Sequence, residues 1–246
     1  MPLVAYLAAV LLVALSPVLA QPIPTGITAV QFSDPRVIDA FATCLVERHD
    51  SAAARYVLGS YSDWRTAPTA TRDELRDTRC VRAQASSQDA SLLLKLSESS
   101  LKAALAEVLV RVEFPTFDAA VIQTAKPLTS STLVDKLFPP DACKKCAAQQ
   151  LAEFQDARVK LNTVMAPIVF GECAVRTDPG DAHALLMTRP GSPEEEAVFG
   201  VLEPALDSCV VQGAQFTATR GVLRGLIATS YYRVAHAPRV AVGASK

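Results

Sequence analysis

The chain carries no excess of charge of either sign: 24 Lys and Arg stand against 25 Asp and Glu in 246 residues. A surface that gathers nucleic acid or anionic lipid needs a basic field, and this composition supplies none. Aromatic residues make up only 6%, although half the residues are hydrophobic and Ala is abundant. That balance favours close-packed helices over sheet, whose strands draw on aromatic and β-branched side chains. The histidines are His49, His183 and His236, and none has the spacing of a metal-ligand pair. Their expected place is at the surface or beside helix starts. There is no G-x-S-x-G elbow, no Gly-rich phosphate cradle and no acidic calcium loop. These absences leave no catalytic, cofactor-binding or metal-ligating set to name, and no cofactor is implied.

What is present begins at the N-terminus. Residues 1–20 have no charged side chain and are mostly Leu, Val and Ala. Val18-Leu19-Ala20 offers the small or aliphatic residues a signal peptidase reads, so cleavage before Gln21 is the expected processing. Met1-Pro2-Leu3 gives the segment no basic flank, which leaves retention as a membrane anchor as the alternative. The apolar stretch is interrupted by Pro17 and sits at the short end of what spans a bilayer. The expected location is the periplasm or the exterior, with membrane contact only if 1–20 is retained.

Export decides how the cysteines read, because outside the cytoplasm an even number usually means disulfides. Cys44 and Cys80 are 36 positions apart, and so are Cys173 and Cys209. A Phe stands three residues before the first member of each pair, Phe41 and Phe170. Each second cysteine is followed by a similar run, Leu101-Lys-Ala-Ala-Leu-Ala and Leu223-Arg-Gly-Leu-Ile-Ala. A matched frame of this kind indicates an internal duplication. Repetition makes 44–80, 173–209 and 143–146 the economical pairing, while 44–173 with 80–209 stays open. Each long loop would contribute about 3.8 kcal/mol by restricting the unfolded chain.

Helix punctuation supports two units of four helices. In the first, Asp34-Pro35 opens a helix carrying Phe41 and Cys44, and 50–58 forms a short one ended by Gly59. Thr71-x-x-Glu74 reads as a capping box opening a helix through Cys80. In the second, Asp178-Pro179 opens a helix through Met187, and Ser192-Pro193-Glu194-Glu195 is the strongest start in the chain. Ser97 and Thr219 are matched N-caps of the closing helices, which end near Arg111 and Arg233. The expected organisation is signal peptide 1–20, extended lead-in 21–33, unit one 34–111, connector and C-x-x-C helix 112–164, unit two 165–234, and a flexible tail 235–246. A loop insertion at 84–91 lengthens unit one. Prolines punctuate the connector, with a short helix at 132–137, and Pro167 stops or kinks the linking helix.

Cys143-Lys-Lys-Cys146 is the one motif with a mechanism attached. At a helix start, the dipole and Lys144 and Lys145 would lower a thiolate pKa, as in dithiol oxidoreductases. The strand that should precede such a motif is absent, since Phe138-Pro-Pro-Asp141 stands there, and Ala147 excludes haem attachment. A structural disulfide is the expected role, with redox exchange through Cys143 and Cys146 as the alternative. Glu194-Glu195-Glu196 complements a helix dipole and needs no other reason. Tyr61 and Trp64 fall in a loop, as a cap on the core or a partner patch. Tyr231-Tyr232 reads as core packing with one rim residue.

Two Phe-x-x-Cys helices, the equal spacing and the L-[K/R]-[A/G]-x-[L/I]-A helices together resemble a group of secreted bacterial tandem helical proteins with two cysteines per unit. The likeness covers roughly 34–111 and 165–234 and brings no activity with it. The expected fold is all-α: two related, disulfide-stapled four-helix units, a Pro-rich connector and a linking helix. The expected function is binding of a protein or other envelope partner without catalysis. The alternatives are thiol–disulfide exchange and a small-molecule carrier with a cleft between the units.

Overall fold

The architecture comes from a computed structural model of the chain, which describes residues 35–59, 66–83, 97–128, 137–139, 141–144, 146–210 and 218–239. The expected leader 1–20 and lead-in 21–33, Tyr61, Trp64, Lys145, the expected insertion at 84–91 and most of the expected helix at 132–137 lie outside them. The described residues form an all-α fold with no strand, only an isolated bridge between Ala125 and Arg239. The helices are α1 Pro35–Leu58, α2 Thr69–Glu74, α3 Thr78–Ala83, α4 Glu98–Glu113 and α5 Ala119–Gln123. They continue with α6 Ala148–Thr177, α7 Pro179–Met187, α8 Pro193–Ser208 and α9 Arg220–Ala235. No helix among the described residues is long and apolar enough to cross a membrane.

Four of these helices carry the core, in the order α1, α4, α9, α6, each packed on the next. Phe41 and Leu45 of α1, Leu105 and Leu109 of α4, Ile227 and Tyr231 of α9, and Ala174 and Val175 of α6 are buried together. Their spacing of three or four residues gives each helix one apolar face, and burial of those faces stabilises the fold. Small residues let the helices approach: a Cβ on Gly171 would stand 2.7 Å from the carbonyl oxygen of Leu226 in α9.

Three disulfides close the chain: Cys44–Cys80, Cys143–Cys146 and Cys173–Cys209. The two long loops are stapled alike, with Cα–Cα distances of 5.5 and 5.7 Å. In each, the first cysteine is half-buried and the second is buried. The helix also breaks at the same place. His49, five residues after Cys44, has φ −144° and ψ 45° inside α1. Asp178, five residues after Cys173, has φ −138° and ψ 79° between α6 and α7. The closing helices α4 and α9 are both 16 residues long. Ser97 and Thr219 cap them by accepting the N–H of Ser100 and Val222.

Three local expectations need correction. Thr71 is not an N-cap: α2 begins at Thr69 behind Pro68, and it ends before Cys80. Asp77 interrupts it, because its carbonyl accepts the N–H of Cys80 and its carboxylate the N–H of Arg79, starting α3 afresh. Pro167 does not end α6, since the helix runs through it to Thr177. A proline there forfeits one ladder bond, and the packing of Ala174 and Val175 in the core holds the turns that follow. The first residues of the tail are docked rather than free. Lys126 donates its N–H to the Pro238 carbonyl at 2.9 Å, and Arg239 donates to the carbonyls of Val121 and Ala235.

Candidate functional site

The starts of α1, α8 and α9 meet around an open groove of about 410 Å³. Each wall follows from local sequence. Gly191 has φ +73°, a left-handed conformation open to glycine, and it turns the chain into α8. Ser192 then accepts the N–H of Glu195, and Glu195 reaches back to accept the N–H of Gly191 at 2.6 Å. That reciprocal arrangement satisfies helix-start donors and fixes Glu195 inward. Pro190 and Pro193 line one side, Pro35 another, and Gly221 in the first turn of α9 leaves its surface open. Arg220 and Glu196 form a 3.1 Å ion pair on the rim, both largely exposed.

Beneath the groove lies a buried arginine. The Arg224 side chain is 4% exposed, and Glu107 takes its Nε and Nη2 as a two-pronged pair at 2.9 and 2.6 Å. Nη1 donates to Glu195 at 3.1 Å and to the Thr188 hydroxyl at 2.9 Å, and Nη2 also donates to the Thr188 carbonyl. All five guanidinium donors are therefore used. Burial alone would lower the Arg224 pKa, but the Glu107 and Glu195 carboxylates outweigh it and hold the group above its ordinary value. Glu107 also accepts from Arg111, which pairs with Asp39 of α1. One ionic chain thus runs Asp39–Arg111–Glu107–Arg224–Glu195 across α1, α4, α9 and α8.

This chain of charges was not legible as a unit. Glu195 reads from sequence as a dipole-complementing glutamate of the first turn, yet it is buried against Arg224. The signal available was only the N3 position of a capping box, which does place the side chain back over the helix start. The partner, Glu107, is 117 residues from Arg224 and no local rule joins them.

The other predicted positions fall elsewhere. Cys143 and Cys146 are bonded within the turn that precedes α6, with Cys143 buried and Cys146 half-buried. Lys144 pairs with Asp141 at 2.5 Å, and Phe138 sets its ring edge on Phe154 at 5.5 Å. His49 lies at the break in α1, its Nε2 3.1 Å from Asp77. Asp77 is held far below the usual carboxylate range by Arg79 first, then Arg48. His183 is buried rather than at the surface: Nε2 donates to the Phe114 carbonyl at 2.8 Å, and the ring rests between Phe117 and Tyr231. Neither Tyr231 nor Tyr232 is a rim residue. Burial, and then Asp118, pushes the Tyr231 phenol up to about 12. Tyr232 is raised by burial and by its hydrogen bond to Glu113, which also meets His236 at 2.9 Å.

Among the described residues no group of three or more His, Cys, Asp or Glu is placed to hold a metal ion. No protein family, curated protein or solved structure matches the chain.

Proposed function

We propose that this chain is an exported binding protein built from two copies of one helical unit, and that it recognises an envelope partner at the groove between α1, α8 and α9. Export is supported by the three disulfides, which persist in oxidising compartments, and by the leader-like residues 1–20. Duplication is supported by the matched staples, helix breaks and caps. It is supported further by the close approach of Ala103 and Gly225, which are equivalent positions when Leu101 is set on Leu223. Residues that meet their own equivalents mark a two-fold axis.

The observation that carries recognition over catalysis is that the groove's ionisable floor is buried and tied up in internal ion pairs. A general base must lie within hydrogen-bond reach of its substrate. Here both Glu195 oxygens and every Arg224 donor are bonded within the protein. What the groove offers a partner is shape, three prolines and a solvated ion pair. The test is a photo-crosslinking residue at Glu196 in the exporting cell, with Leu58 as a control position. Recognition predicts one crosslinked partner from 196, none from 58, and its loss in Arg220→Glu. Equal crosslinking from both positions refutes the groove as the site.

A small-molecule reading draws its support from the groove's place, where Pro35 of the first half meets the starts of α8 and α9. Native mass spectrometry for a co-purified ligand separates it from the protein partner. Thiol–disulfide exchange is the remaining alternative and has less support: Cys143 is buried, and a proline-containing turn takes the place of the strand. Insulin reduction by the purified protein would revive it.

A further inference from the structure

Away from the groove, the starts of α5 and α7 meet the second half of α9 around a cluster of acceptors. The Phe117, His183 and Tyr231 rings stand in a row, with centroids 5.7 Å apart at both steps. Phe117 is 43% exposed and forms the outer lip, whereas Tyr231 is 1% exposed. A Cβ on Gly180 would stand 3.8 Å from the Phe117 ring and 3.9 Å from the Asp178 carboxylate, so ring and carboxylate share one wall. Asp178 caps α7 and Asp118 caps α5, each accepting a backbone N–H. Capping accounts for those two carboxylates. It does not account for Asp181, whose carboxyl is pushed above its ordinary value by burial and then by Asp178. None of the three has a cationic partner among the described residues.

The Tyr231 hydroxyl points to a ligand independently. Its side chain is buried, yet the hydroxyl bonds to nothing among the described residues, and a buried hydroxyl left unbonded is costly. It lies near enough to Asp118 for that carboxylate to help hold the phenol proton in place. His183 spends its Nε2 hydrogen on the Phe114 carbonyl, which leaves Nδ1 as an acceptor. We infer that Phe117, Asp118, Asp178, Asp181, His183 and Tyr231 form a binding site for an alkylammonium group. Such a cation brings three N–H donors and a positive charge to lone pairs that have neither. Laid against the exposed Phe117 ring, it also gains a cation–π contact. A metal ion suits the cluster less, because no three of its His and Asp side chains are placed to coordinate one.

Titration of the full chain with n-butylammonium chloride, read on the His183 and Tyr231 ring signals by NMR, tests it. A saturable shift is expected that sodium chloride at equal ionic strength does not reproduce. Phe117→Ala should weaken binding about threefold, the loss of an exposed cation–π contact. Tyr231→Phe should weaken it by at least as much while leaving the thermal melt unchanged or raised, since it removes an unbonded hydroxyl. Nα-acetyl-lysine amide presents the same ammonium on a peptide unit. Binding of both probes supports a site open to protein side chains, and binding of n-butylammonium alone supports a small free amine. No saturable shift with either probe overturns the inference. So do unchanged affinities in both variants, or a melt lowered by Tyr231→Phe, which would show that the hydroxyl has an internal partner. Tyr231 lies seven residues beyond Arg224 on α9, about 10 Å along the helix, so this site and the groove fail separately.

Discussion

A Cβ built on Gly225 would stand 2.7 Å from the Cβ of Ala103. The two residues lie on the middle helices α4 and α9, each at the same place in its closing helix, two after the matched leucine. Gly225→Ala gains up to about 1 kcal/mol of helix propensity but forces the helices apart, an overpacking cost of about 1–3 kcal/mol. A net loss in urea unfolding is expected. Exchanging the pair, Ala103→Gly with Gly225→Ala, should return stability to within about 0.5 kcal/mol if the proposed duplication holds, because one methyl then moves to its equivalent position and the packed volume is unchanged. A double variant as unstable as Gly225→Ala would show that the site is not two-fold.

Arg224 and Arg220 sit one turn apart on α9 and should behave oppositely. Arg224→Met leaves Glu195 buried without a counter-charge and Glu107 with Arg111 alone, a loss of about 3–5 kcal/mol. Arg220→Ala breaks only a solvated pair with Glu196, and the expected change is below about 0.5 kcal/mol. Chemical denaturation of the two variants checks the contrast. Equal small effects would mean that the ionic chain across four helices contributes nothing to stability.

That contrast also marks where sequence reading ends. The caps Ser97, Asp178, Ser192 and Thr219 were legible because a cap is decided within four residues of chain, and all four accept as expected. The inward Phe41 was legible from helical period. Neither rule reaches across helices. Arg224 finds Glu107 at a separation of 117 residues, and His183 finds Phe114 at 69, so a guanidinium and an imidazole that look like surface groups are buried. Pro167 misled for a related reason: its local cost is real, but tertiary packing on the far side of it decides the helix.

Asp77 ties the break between α2 and α3 to α1 through Arg48 and His49. Its folded pKa lies below its unfolded value, so its contribution is present above the ordinary carboxylate range near 3.8 and is lost as pH falls through the folded value. Asp77→Asn should lower the melting temperature by several degrees at pH 7, where wild type holds the charge. The gap should close only in strong acid. A gap that persisted unchanged into strong acid would show that the Asp77 charge does not stabilise the fold.

The disulfides should rank by the length of chain they close. Cys44→Ser with Cys80→Ser releases a loop of 36 residues, which costs about 3.8 kcal/mol before any gain from relaxed geometry. Cys143→Ser with Cys146→Ser releases a separation of three residues, and the same relation gives about 1.6 kcal/mol. The 173–209 pair should match 44–80, since the separation is identical and the second cysteine is buried in both. Denaturant unfolding of the three double variants measures the order directly. If removing 143–146 costs as much as either long staple, that short loop does more than restrict the unfolded chain. The turn it closes, with Phe138 against Phe154, would then have to be holding the start of α6 in place.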